Sequence, residues 1–241
     1  MTYVLVHGGG STRRFWDRLA PLLPGPTLAV DLPGRGEHPA DLATITVDDE
    51  VASVAADVEA ADVDDPIVLV AHSSGGLVVP GVLDALGGRV ARIVLNAALV
   101  PPEGGYGLDG MQPRHAAGLS AAVEVAMAEG RTITLPGPPD DPEQFRSTYG
   151  GDPLSDDDLA FVVDPVRCVP DTIHHYFQPV RWSLARGVPV TYVLNERDRP
   201  IPPALQEEMV ARLPDPPKLV PLDTGHLPAV THPHLLADAV E

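Results

Sequence analysis

The stretch PIVLVAHSSGGLVVPGVLDAL, residues 66–86, decides the fold. It opens with a short run of branched apolar residues, the composition of a strand buried on both faces. It closes with apolar residues at helical spacing. Between them lies Ala71-His72-Ser73-Ser74-Gly75, a small-x-Ser-x-small turn. Such a turn holds the central serine in a strained backbone conformation and lifts its oxygen above the sheet. Strand and helix then approach closely, so the residues two before and two after must be small. Centring on Ser73 places Ala71 and Gly75 there, whereas centring on Ser74 would place the bulky His72 and Gly76. Ser73 is therefore the candidate nucleophile. Ser74 starts the helix, where its backbone N–H can face a developing oxyanion. His72 points off the line of attack and is expected to be scaffold.

Working outward, apolar runs alternate with helix-like stretches. Strands are expected at 3–6, 27–32, 66–71, 92–97, 189–195 and 218–222. Helices are expected at 11–23 with Ser11 as cap, from Thr46 to about Asp62, from Ser74 to about Leu86, at 202–213 and at 232–241. Thr46 is followed by Asp48, Asp49 and Glu50, acids that suit a first helical turn. The alternation breaks between residues 101 and 186, a Pro-, Gly- and charge-rich stretch with short helical candidates at 120–130, 156–164 and 172–180. The order predicts an α/β fold: a mostly parallel sheet with helices on both faces, because parallel strands need crossovers. Residues 1–100 and 187–241 would form the core, and 101–186 an inserted cap with ordered Pro/Gly loops near 101–105 and 136–142.

The chain has 241 residues, 44% of them hydrophobic, enough for one packed domain. Its formal net charge of -18 repels nucleic acid and anionic membrane surfaces, so neither is an expected partner. Cys168 is the one cysteine, which excludes an intrachain disulfide and a cysteine metal cluster. No His pair carries metal-ligand spacing, so no metal or cofactor is expected. Met1-Thr2-Tyr3 runs directly into an apolar strand without a basic leader, and no apolar run approaches membrane length. A cytoplasmic location fits these features.

VLVHGGG (4–10) with Trp16, DLPGRGEH (31–38) and AHSSGG (71–76) together resemble the α/β-hydrolase superfamily of small serine esterases. The chain is most similar to the plant methyl-esterase and hydroxynitrile-lyase group within it. The resemblance implies the α/β-hydrolase fold and the chain order serine, acid, histidine. It assigns His226, in LDTGHLPAVTHP (222–233), as general base and Asp198, in VLNERDRPIPP (193–203), as the orienting acid. Glu196 is the second choice of acid, and one residue more separates it from Asp198 than in the group's NED-type segment. Gly9 would supply the second oxyanion amide beside that of Ser74, with Gly8 as runner-up and His7 structural.

A small carboxylic ester, thioester or lactone is the implied substrate, and a homodimer is left open. Candidate pocket residues are Leu99, Met111, Phe161, His175, Tyr176 and Leu227. Lyases of the group carry Thr after the first His and Lys after the catalytic His. Gly8 and Leu227 stand there, which disfavours lyase chemistry. A ligand-binding receptor and a biosynthetic enzyme on the same fold are the other readings.

Overall fold

The computed structural model describes residues 1–137, 139, 141–149 and 151–241; the remainder of the 136–142 Pro/Gly cluster lies outside them. The first half comprises β1 (Thr2–Val6), β2 (Thr27–Val30), α1 (Val47–Ala60), β3 (Ile67–His72), α2 (Val79–Leu86) and β4 (Val90–Asn96). Then follow β5 (Gly105–Tyr106), α3 (Pro113–Ala128), α4 (Pro142–Thr148), α5 (Asp156–Val163) and β6 (Pro179–Val180). The chain closes with β7 (Val190–Asn195), α6 (Pro203–Val210), β8 (Lys218–Leu222), α7 (Pro228–Thr231) and α8 (Pro233–Val240).

Six strands form one sheet in the order β2-β1-β3-β4-β7-β8, every neighbouring pair parallel. Alternate side chains divide two cores, as the two-residue period of a strand requires. Val4, Val6, Leu69 and Ile93 pack with α1, α2 and α6. Tyr3, Leu5, Val68 and Val70 pack with Phe15, Trp16, α5, α7 and α8 on the other face. The chain leaves β1 toward β2 on one side and places β3 on the other. That reversal opens a crevice at the carboxyl ends of β1 and β3, the usual ligand position in open α/β sheets.

Local chemistry explains where elements begin. Thr46 caps α1 in a reciprocal capping box with Asp49, and Ser155 does the same for α5 with Asp158. The expected helix over 11–23 is instead two 3-10 turns, Arg13–Trp16 and Ala20–Leu22, capped by Thr12 rather than Ser11. Pro21 lacks the N–H that a continuing helix needs. The helix after Ser73 also opens as a 3-10 turn, and α2 proper begins at Val79. At 172–180 a 3-10 turn (174–177) leads into β6, which pairs antiparallel with β5. The 120–130 candidate belongs to a longer helix that starts at Pro113. Trp182 and Ala185 bury in the sheet's own core.

Candidate active site

Ser73 directly follows β3, with φ at 52°, a left-handed conformation that side chains rarely adopt. The glycines after it make that turn feasible. A Cβ on Gly75 would lie 2.6 Å from the His7 carbonyl oxygen at the end of β1, and one on Gly76 would lie 2.5 Å from the Leu99 carbonyl. The demand for small residues is thus a close approach of backbones.

His226 and Asp198 converge on Ser73 from the loops after β8 and β7. His226 Nε2 lies 3.2 Å from Ser73 Oγ, and His226 Nδ1 lies 2.6 Å from Asp198 Oδ2. Asp198 Oδ1 accepts the Ile201 N–H at 2.8 Å, which fixes the carboxylate plane. Both residues are buried. The short Nδ1 link puts the ring proton toward the acid and leaves Nε2 to accept from the serine hydroxyl. Glu196 takes no part; its backbone N–H bonds the Leu222 carbonyl.

His72 does not bond Ser73. Its Nε2–H donates to the His226 carbonyl at 2.9 Å, and its ring stacks on Phe15 at 4.9 Å. Burial, reinforced by the neighbouring His226, holds its pKa well below the usual histidine value. His7 Nε2 accepts the Leu32 N–H at 3.2 Å, so its Nδ1–H donates to the Gly8 carbonyl at 2.8 Å. Burial, then the nearby Arg35, lowers its pKa to about 4. Both histidines are neutral braces.

Gly9 and Gly10 line the cavity at Ser73, and Gly8 does not. A Cβ on Gly8 would press 2.8 Å from the Ser73 Cβ. At Gly9 it would meet the Tyr176 hydroxyl at 2.9 Å, Asp171 Oδ2 at 3.1 Å and Ser74 Oγ at 3.3 Å. The cavity holds about 360 Å³, within the range of small-molecule sites. Its wall is largely apolar, from Phe15, Leu135, Phe145, Tyr149, Phe161 and Leu227. Burial pushes the Tyr149 hydroxyl up to about 12, so it stays protonated. Arg167 also lines the cavity, but its charge is engaged. It lies 3.9 Å over the Phe161 ring and pairs with Asp17 at 2.9 Å and Asp164 at 3.4 Å.

Of the candidate pocket residues, Phe161, Tyr176 and Leu227 line the cavity; Leu99, Met111 and His175 do not. Leu99 is buried beneath the turn, its N–H bonded to the Ser73 carbonyl at 2.8 Å. Met111 packs against the core on the α1–α2 face. His175 is buried with Nδ1 3.1 Å from Glu50 Oε1 on α1. It and Tyr176 are successive residues of one 3-10 turn and project in different directions. Tyr149 is a wall residue that no periodicity marked. Two buried carboxylates, Asp152 and Asp171, hold the loops around the site and carry no sequence signature. Among the described residues, no group of three or more His, Cys, Asp or Glu could hold a metal ion. None of the described helices is long and apolar enough to cross a membrane.

A parallel sheet with a serine, a histidine and an aspartate hydrogen-bonded in series at its carboxyl edge defines the α/β-hydrolase class. The family model described as the alpha/beta hydrolase family matches residues 3–239, and the chain belongs to that family. A pimeloyl-[acyl-carrier protein] methyl ester esterase of Neisseria meningitidis is 43% identical over 76 residues. Those residues are 31% of this chain and span only 27% of the relative's length. An extracellular alpha/beta-hydrolase from a Paenibacillus species superposes with a TM-score of 0.80 at 22% identity, covering 99% of this chain and 97% of that one. A methylesterase from Arabidopsis superposes with a TM-score of 0.74 at 21% identity, covering 99% and 96%.

Proposed function

We propose that this hydrolase cleaves small, uncharged carboxylic esters through an acyl-enzyme on Ser73. The observation that carries the reading is the hydrogen-bonded series from Ser73 through His226 to Asp198 beside an apolar cavity. Ser73 Oγ attacks the ester carbon while its proton passes to His226 Nε2. Asp198 keeps the imidazole in the required tautomer and stabilises it once charged. The Gly9 and Ser74 amides face the oxyanion. Collapse breaks the bond to the alcohol, which takes the proton back from His226. Water, deprotonated by the same nitrogen, then releases the acid.

The substrate class follows from the wall. The one arginine seen to line the cavity is paired, and the net charge of -18 repels anions at long range. Neutral esters fit better than charged ones, and the methyl-ester chemistry in the relative's name agrees with that. Residues 101–186 act as a cap that sets specificity, since Leu135, Phe145, Tyr149, Phe161 and Tyr176 all come from it. Leu227 lines the cavity where the lyase group carries lysine, which argues against the lyase reading.

The test is turnover of p-nitrophenyl acetate and butyrate. The wild type should hydrolyse both, and Ser73→Ala should lose about four orders of magnitude or more in kcat. Equal rates in the two proteins would refute the proposal.

A further inference from the structure

The turn that carries Gly9 is stitched to the 101–186 segment along both edges of Gly10. The Gly10 N–H donates to Asp171 Oδ2 at 2.7 Å, and its carbonyl accepts the Val169 N–H at 3.0 Å. Gly10 has φ at 65°, so the backbone itself offers little to fix the turn. Asp171 is in turn immobilised. Its Oδ1 accepts the Thr172 N–H at 2.7 Å and pairs with Arg35, and its backbone exchanges two hydrogen bonds with Leu135.

Arg35 bridges Asp171 to Glu50, and Glu50 continues to His175. All four side chains are shielded from solvent. Burying such a cluster gains little stability, because desolvation offsets the attraction; packed apolar residues often do as well or better. Its position suggests another reason. A carboxylate is a strong, directional acceptor for an amide. Unneutralised, it would oppose the negative charge that develops one residue away, at Gly9. Arg35 removes that opposition while leaving the acceptor in place. Burial alone would raise the Glu50 carboxyl, but the adjoining His175 and Arg35 hold it down, to about 2, so the acid stays ionised and the cluster intact.

We propose that Asp171, neutralised by Arg35, is a positioning residue that sets the oxyanion turn Gly9–Gly10. This deepens the ester-hydrolase reading and rests on it for its catalytic consequence. The 101–186 segment is then part of the catalytic frame as well as a wall of the cavity.

The test compares the wild-type chain with Asp171→Asn and Asp171→Ala. Hydrogen exchange of a peptide spanning residues 6–14 is read alongside kcat, KM and the pH–rate profile on p-nitrophenyl butyrate. Asn keeps a weaker acceptor for the Gly10 N–H, so kcat should fall about tenfold; in Ala it should fall about a hundredfold, approaching the loss of one oxyanion donor. Exchange should quicken in the same order. KM should stay within about threefold and the pH midpoint should not move, because the His226–Asp198 pair is untouched. Should the Ala variant not fold, the Asn variant decides. Exchange and kcat equal to wild type in a folded Asp171→Asn overturn the proposal, as does a loss confined to KM. If the wild type turns over no ester and a fluorophosphonate leaves Ser73 unlabelled, the hydrolase reading has failed. The exchange arm still decides whether Asp171 holds the turn.

Discussion

The two sides of Ser73 are braced by the same device in different surroundings. On the base side, Asp152 Oδ2 accepts the Gly225 N–H at 2.7 Å and the Thr231 hydroxyl at 2.9 Å. Its Oδ1 pairs with Arg197 at 2.9 Å. It thereby grips the residue before His226 and the residue before Asp198. On the Gly9 side, the proposed oxyanion side, Asp171 grips the residue after Gly9 and pairs with Arg35. Each is a buried acid from the 101–186 segment that accepts an amide one position from a candidate catalytic residue. The arginine partners differ: the Arg197 side chain is 40% exposed and that of Arg35 is 0% exposed. Water and salt can screen and replace the first pairing, while the second has only protein to answer it. Losing the same pairing should therefore cost less on one side than on the other.

Four substitutions break or sharpen this contrast. Asp198→Asn strikes the base side at its centre and should lower kcat by about 10³- to 10⁴-fold, read on p-nitrophenyl butyrate. Arg35→Met leaves Asp171 and Glu50 as neighbouring buried acids without their cation. It should destabilise the fold by about 3–5 kcal/mol, read by urea unfolding. Asp152→Ala should be milder, about 1–2 kcal/mol in unfolding and about tenfold in kcat, because water reaches Arg197. A loss equal to that of Arg35→Met would erase the contrast.

The smallest effect is a pH slope. The unfolded chain protonates His7 below its ordinary 6.5, whereas the folded chain resists until about 4. Stability from this group is complete above 6.5 and is lost as pH falls from 6.5 toward 4. His7→Gln should flatten the dependence of Tm on pH in that window. An unchanged slope would mean that His7 is not the group responsible.

What the sequence disclosed depended on whether a demand is local. Ala71, Ser73 and Gly75 answer to one turn, so their spacing alone selects the candidate nucleophile and predicts the strand and helix around it. The crossover rule then implied the parallel sheet. Asp198 and His226 emerged because each follows an apolar strand run and matches a familiar order. Asp152 and Asp171 satisfy demands made by loops far away in the chain, and 34 acidic residues offer no mark to tell them apart. Arg35 stands inside the motif DLPGRGEH, but nothing in that motif marks its side chain as turned inward. His175 and Tyr176 illustrate the same limit: composition drew attention to both, and only the turn geometry sends one to the cavity and the other to Glu50.

The double bonding of Gly10 bears on protein engineering. Exchanging segment 101–186 with that of a relative is an obvious route to new substrates. Here the graft would carry away the strand-like 168–171 edge and the acceptor that the glycine turn leans on. On the proposed role of Asp171, recognition and reactivity are not separable modules in this chain. A donor segment must bring its own acid opposite Gly10, together with a match for Arg35, or the chimera should bind its new ester and turn it over slowly.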